Sequence, residues 1–339
     1  MKEIKIWFDI TNTPQVHFLL GVQKLLDPDY SNFFYTAREF SETTRLLSSH
    51  IGEEFLVFGE HAGKNKYLKG IGLFKRFYEM YKSKIDFDLS ISCGSENAIW
   101  LSKLKKKKSI AFGDNDLAKQ WTYGRFVDYS FFPDAIDKKI LIQQGIRSDK
   151  LYSYHGFKED IYISNFEPDE NFLNNLPFRE YVVLRAENIN ANYVNGKSMT
   201  IIPMLSKLLI EKGLNIVYLP RYDIDKSYVI QDEHVFIPSK PLNGLDLCYY
   251  SSGVFTGAGT LAREAACLGI PSFSFFLGER LLAVDQKLVR EEKITFSRDP
   301  AILVNSFLKS NKKLPDIKRS ISVSEEVKSK LNDVINKLY

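Results

Sequence analysis

From one end of the chain to the other, short runs rich in Ile, Val, Phe and Tyr alternate with stretches whose apolar residues recur every three or four positions. The runs predict strands at 4–10, 33–37, 54–58, 89–93, 109–112, 129–132 and 151–154. The periodic stretches predict helices at 16–26, 39–49, 67–84, 96–104, 118–126 and 136–144. Between 156 and 178 both rhythms break, around Pro168, the Asn-bearing stretch 171–175 and Pro177. The alternation restarts with a strand at 181–185, a helix at 199–212 and a strand at 215–219, and further strands follow at 235–237, 254–256, 272–276 and 294–296. Apolar residues from Ile317 to Leu338 fall close to helical spacing. Such alternation predicts a parallel α/β sheet in each half.

Length changes this picture by dividing it. At 339 residues the chain exceeds the size at which one hydrophobic core stops growing. Two domains are expected, 1–160 and 178–315, with the break at 156–178 as linker. Net charge adds little: +4 gives no footprint for nucleic acid, and no recognition motif for it is present. The one dense basic cluster, Lys105-Lys106-Lys107-Lys108, is expected to be a solvated helix end, with peripheral membrane contact as the alternative. Cys93, Cys248 and Cys267 are too few and scattered for a disulfide framework. With no apolar span and no signal-peptide core behind Met1, the expectation is a soluble cytoplasmic protein.

The densest chemistry lies in Gly253-Val254-Phe255-Thr256-Gly257-Ala258-Gly259-Thr260-Leu261-Ala262-Arg263-Glu264-Ala265-Ala266-Cys267-Leu268-Gly269-Ile270-Pro271. This reads as strand, Gly-Ala-Gly-Thr turn, helix and Gly stop. Gly257 and Gly259 let a ligand approach the backbone, and Thr260 is expected to cap the helix. A helix N-terminus carries about half a positive charge, suited to a diphosphate. Glu264, one turn later, is placed to accept from ribose hydroxyls.

Ligands of open α/β sheets bind beyond the carboxyl ends of the strands, so the loops there hold the other candidates. After the first strand come Asn12 and Thr13, either able to cap a helix opened by Pro14, and then His17 in the first turn. Gly94 and Ser95 form a second glycine-bearing turn, and Asp114 and Asp116 sit in the loop after 109–112. Arg185, Glu187 and Arg221 follow strands of the second half, and arginine forks suit phosphate. His17 is preferred over Asp114 as catalytic base, because an unperturbed histidine titrates near neutrality. No metal and no cofactor is called for.

The Gly-rich turn followed by Glu264-Ala265, Gly269 and Pro271 resembles the nucleotide-sugar site of GT-B enzymes. Among these are the glycosyltransferase that adds N-acetylglucosamine to the lipid-linked peptidoglycan precursor and the non-hydrolysing UDP-N-acetylglucosamine 2-epimerases. The resemblance then extends along the chain to domain-of-unknown-function family 354. It is carried by Ile6-Trp7-Phe8-Asp9-Ile10-Thr11-Asn12-Thr13-Pro14-Gln15-Val16-His17-Phe18, Thr36-Ala37-Arg38-Glu39-Phe40, Tyr154-His155-Gly156-Phe157-Lys158-Glu159, Pro220-Arg221 and the stretch from Gly257 to Ala266.

This resemblance implies a GT-B-like α/β fold, two Rossmann-like domains facing across a cleft, with helix 316–339 packing back on the first. It also implies a UDP-sugar ligand, held by the turn with Glu264 on its ribose, and nucleotide-sugar contacts from Arg263. Arg185-Ala186-Glu187-Asn188 is similar to an epimerase His-Arg-x-Glu-Asn segment, but Leu184 replaces the His. Ser92-Cys93-Gly94-Ser95 stands where those enzymes read His-Gly-Asp-Thr, and Phe112-Gly113-Asp114-Asn115-Asp116 lacks the His of their His-x-Glu-Ala-Gly. The first expectation is therefore a metal-independent glycosyltransferase of surface polysaccharide or glycan synthesis, with a glycan or lipid-linked acceptor. An epimerase-like enzyme and a non-catalytic nucleotide-sugar-binding protein are the alternatives.

Overall fold

The computed structural model describes residues 4–40, 42–60, 66–187, 200–310 and 314–339. These form two compact units, Met1–Tyr162 with Ser322–Tyr339, and Ile163–Ile321. Each unit is built on one parallel sheet.

In the first unit the strands are β1 (Ile6–Ile10), β2 (Phe33–Glu39), β3 (Leu56–Glu60), β4 (Leu89–Ser92), β5 (Lys108–Phe112), β6 (Tyr129–Pro133) and β7 (Leu151–Tyr154). Their order is β3-β2-β1-β4-β5-β6-β7. All of β1 is buried, as a central parallel strand covered on both faces must be. The helices are α1 (Pro14–Lys24), α2 (Thr43–Ile51), α3 (Lys66–Lys82), α4 (Glu96–Leu104), α5 (Lys138–Gln143) and α6 (Lys158–Ile163). The winding direction reverses between β1 and β4, so the loops after those strands flank the switch point where open sheets bind ligands.

The second unit repeats the plan with β8 (Val182–Arg185), β9 (Ile216–Leu219), β10 (Val235–Phe236), β11 (Gly253–Thr256), β12 (Ser272–Ser274) and β13 (Ile294–Phe296), ordered β10-β9-β8-β11-β12-β13. Its helices are α7 (Ile202–Glu211), α8 (Gly244–Tyr249), α9 (Gly259–Cys267), α10 (Ala283–Arg290) and α11 (Pro300–Lys309); α12 (Lys318–Leu338) ends the chain. Val182, Leu184, Leu205, Tyr218 and Phe255 lie at the heart of the core. Here the switch point falls between β8 and β11, with Arg185 directly opposite Thr256.

Three local expectations are corrected. The stretch 118–126 holds one 3₁₀ turn, Gln120–Thr122, instead of a helix. Asn115 Oδ1 takes the amides of Leu117 and Ala118, and the Tyr123 and Gly124 amides turn back to the Gln120 carbonyl. The stretch 156–178 is not wholly irregular, because α6 forms within it, its start fixed by Asp160 Oδ2 accepting from the Phe157 amide. Third, α8, α10 and α11 lie in segments where the apolar pattern predicted no helix. Of the helix predicted at 199–212, Met199 lies outside the described residues, as does Asn188.

Candidate functional site

In the second unit, the turn between β11 and α9 is set by contacts beneath it. The Gly257 amide donates to the Arg185 carbonyl, 3.1 Å, which ties the turn to the end of β8. A Cβ on Gly257 would lie 2.5 Å from Glu187 Cγ and 2.7 Å from its Cα, so only glycine fits. Thr260 does not cap the helix: α9 begins at Gly259 and Ala258 is its N-cap, with no side-chain cap bond. The Ala258 amide is taken instead by Thr256 Oγ1 at 2.9 Å, one residue before the turn. Gly259 and Thr260 are half-buried within the helix's first turn.

The charged candidates divide into two sets. Glu187 and Arg263 have oppositely charged partners at close range. Glu187 is buried and accepts from Thr200 Oγ1 (2.7 Å), the Ile201 amide (3.2 Å) and Arg298 Nη1 (2.9 Å), which pins the start of α7. Arg263 is buried in an ion pair with Asp285, 3.0 Å. The other set is Arg185, Arg221 and Glu264. Arg221 donates Nε to the Ala186 carbonyl, 3.0 Å, and its backbone amide is held by Asp225 Oδ2.

Arg185 pairs with no carboxylate within 4 Å among the described residues. Burial first, and then the like charge of Arg221, push its guanidinium down to about 10, against a weaker opposite pull from Glu264. Two guanidiniums thus feel each other's charge at the switch point, with Glu264 and Asp225 pulling the other way.

In the first unit, the loop after β4 is held by Asp9, within β1. This buried carboxylate takes Arg76 Nη2 at 2.6 Å, Thr36 Oγ1 at 2.5 Å and Ser95 Oγ at 2.5 Å. Ser95 also caps α4, accepting from the Ala98 amide. Its hydroxyl is therefore engaged beneath the rim. Gly94 sits at φ +71°, and a Cβ there would meet the Tyr123 hydroxyl at 2.7 Å. Thr13 is the N-cap of α1 by position, but its hydroxyl bonds Thr43 Oγ1 at 3.1 Å and caps nothing. Asn12 Oδ1 is buried and accepts no hydrogen bond among the described residues.

His17 packs edge-on against His50, ring centroids 5.1 Å apart, and beside Tyr162. Burial, then the neighbouring His50, lowers its pKa to about 4. This removes the premise on which it was preferred as base, an unperturbed imidazole. Asp114 pairs with Lys158 Nζ at 3.0 Å. Lys158 is a residue that site reasoning from sequence passed over, although its Gly156-Phe157-Lys158-Glu159 turn directly follows β7. Burial pushes the thiol of nearby Cys93 up to about 12, which disfavours the thiolate at neutral pH.

The profile of the family described as "Protein of unknown function (DUF354)" matches residues 4–338. The chain belongs to that family. An uncharacterized protein of Methanocaldococcus jannaschii is 24% identical over 334 residues, covering 90% of this chain and 91% of its own length.

Among solved structures, the UDP-GlcNAc 2-epimerase of the same organism, in complex with UDP-GlcNAc and UDP, superposes with a TM-score of 0.70 at 14% identity. That match covers 97% of this chain and 100% of the epimerase chain. The glycotransferase of kitacinnamycin matches with a TM-score of 0.64 at 9% identity, over the whole of both chains. The fold is therefore GT-B-like, with two Rossmann-like units, shared with the epimerase and the glycotransferase. No helix among the described residues is long and apolar enough to cross a membrane.

Proposed function

We propose that this DUF354 chain is a glycosyltransferase-like enzyme whose second unit binds the diphosphate of a UDP-sugar at the β8–β11 switch point. The observation that carries this reading is Arg185, which ends β8 under the turn that opens α9 and feels the like charge of Arg221. An anion there relieves the repulsion between the arginines and accepts from the amides of that turn. Glu264 lies one turn along α9 and accepts from the ribose hydroxyls. In transfer, a base takes the proton of an acceptor hydroxyl, whose oxygen forms a bond to the anomeric carbon. The bond from that carbon to the diphosphate oxygen breaks, and the two arginines stabilise the UDP that leaves. Asp114 and His17 of the first unit are the candidates for the base. Leu184, at the end of β8 and wholly buried in the core, supplies no proton where the epimerase-like segment has a histidine, and this favours transfer over epimerisation.

Calorimetry with UDP, UMP and uridine tests the binding site. Arg185→Ala is expected to weaken UDP by roughly ten- to a hundredfold, the worth of one charge-assisted hydrogen bond, while leaving uridine nearly unaffected. Glu264→Ala is expected to weaken all three. Wild-type protein with no affinity for UDP or UDP-sugars would refute the reading. Formation of a sugar epimer from UDP-N-acetylglucosamine, without acceptor, would replace transferase by epimerase.

A further inference from the structure

On the first unit, α3 turns an apolar face outward. Ile71, Phe74, Tyr78 and Tyr81, spaced three, four and three residues apart, are each between 51% and 67% exposed. Single exposed apolar residues are ordinary; an aligned aromatic row is not. Its partner element is α4. Phe74 and Phe77 both pack against Trp100, ring centroids 6.4 and 6.3 Å away. From there the row runs into an open groove of about 720 Å³ lined by Phe77, Trp100, Leu104 and Phe126, with Lys103 and Lys106 at its edge.

Charge says what covers this face. Lys75, Lys82, Lys84, Lys103 and Lys106 are all exposed around it, and Lys82 Nζ lies over the Tyr78 ring at 4.8 Å. The acidic groups nearby are Glu79, 3.9 Å from Lys75, and Asp86 and Asp88, paired with Lys5 and Lys107. The surface is thus apolar and aromatic in the middle and cationic at the rim. A second copy of the same face would set lysines against lysines. An anionic bilayer complements both parts, the rings entering the headgroup boundary and the ammonium groups meeting lipid phosphates.

We infer that the α3–α4 face is a membrane-docking surface that seats the protein on anionic lipid. This does not depend on the nucleotide reading, because it lies wholly within the first unit. Its test is co-sedimentation of the full chain with vesicles of phosphatidylcholine alone, and of phosphatidylcholine mixed with phosphatidylglycerol.

Wild type is expected to sediment with the mixed vesicles, and less so as salt is raised. The triple variant Ile71→Ser, Phe74→Ser, Tyr78→Ser is expected to lose at least about tenfold in partitioning, as is the double variant Lys103→Glu, Lys106→Glu. All five positions are on the surface, and an unchanged thermal transition verifies that the variants fold. Absence of wild-type binding to mixed vesicles, or equal binding by the triple variant, would overturn the inference. So would a wild-type dimer that ignores vesicles and becomes monomeric in the triple variant, which would assign the face to a second copy.

Discussion

His17 shows how far burial changes what one residue can do. A free imidazole titrates near pH 6.5, and here it is pushed to about 4 by burial and by His50. The unfolded chain therefore binds a proton at this position, between those two values, that the folded chain refuses. The sign follows: stability from this group is complete above about pH 6.5 and is lost as pH falls towards 4. His17→Gln, which keeps a polar side chain but cannot titrate, is expected to be less acid-sensitive than wild type across that window. His50, also lowered by burial and by Lys24, adds a slope of the same sign that both proteins share. Urea unfolding at a series of pH values checks this, and parallel curves for the two proteins would show that His17 is not held neutral. The same lowering makes His17 a weak base at neutral pH, so Asp114→Asn is expected to cost at least about a hundredfold in turnover and His17→Ala less. Single-turnover assays with an acceptor decide the order.

At the scale of elements, β1, β6 and β11 were legible because they are buried throughout and read as largely apolar runs, whereas β3 is exposed along much of its length. The helix-opening turns were legible as turns, but what fixes them was not. Thr260 has the residue type of a cap, yet the helix starts one residue earlier and Thr256, inside the preceding strand, takes the amide of Ala258. Likewise Glu187 and Arg263 are held by Arg298 and Asp285, partners 111 and 22 positions away. Nothing local announces such pairs. Arg185, Arg221 and Glu264 stood out because they follow strands or a glycine turn, and position in the sheet is what a strand pattern conveys.

At Gly257 the space a side chain would need is filled by Glu187. Gly257→Ala is expected to cost about 1–3 kcal/mol, the range for an overpacked site whose neighbour is backbone. It should also disturb the Glu187–Arg298 pair. Thermal unfolding measures the first effect. A variant as stable as wild type would mean that the segment at Glu187 yields easily.

For the molecule as a whole, the main consequence of the chain's path is that the first unit is completed by its last residues. Ser322–Tyr339 belong with Met1–Tyr162, although all of Ile163–Ile321 intervenes. The join is specific. Val323 packs where a Cβ on Gly156 would lie 2.5 Å from its Cγ2, Glu326 takes the His155 amide at 2.9 Å, and Asn332 Nδ2 donates to the Leu25 carbonyl at 3.0 Å. Val323, Val327, Leu331, Val334 and Ile335 are all buried. At roughly 2 kcal/mol for each buried aliphatic side chain, their removal forfeits on the order of 10 kcal/mol, an upper bound that still matches the whole stability of a typical domain. A chain ending at Ile321 is therefore expected to lose the cooperative unfolding of its first unit. The second unit keeps its own core, the Asp316 amide on the Leu268 carbonyl and Arg319 beside Cys267. Calorimetric scanning of the truncated chain should show one remaining transition, and that transition should still rise on addition of UDP, because Arg185, Arg221 and α9 are all in the surviving part. Two transitions at their original temperatures would mean that α12 is dispensable to the first unit. A single transition indifferent to UDP, where the full chain responds, would mean that the second unit does not bind the nucleotide by itself.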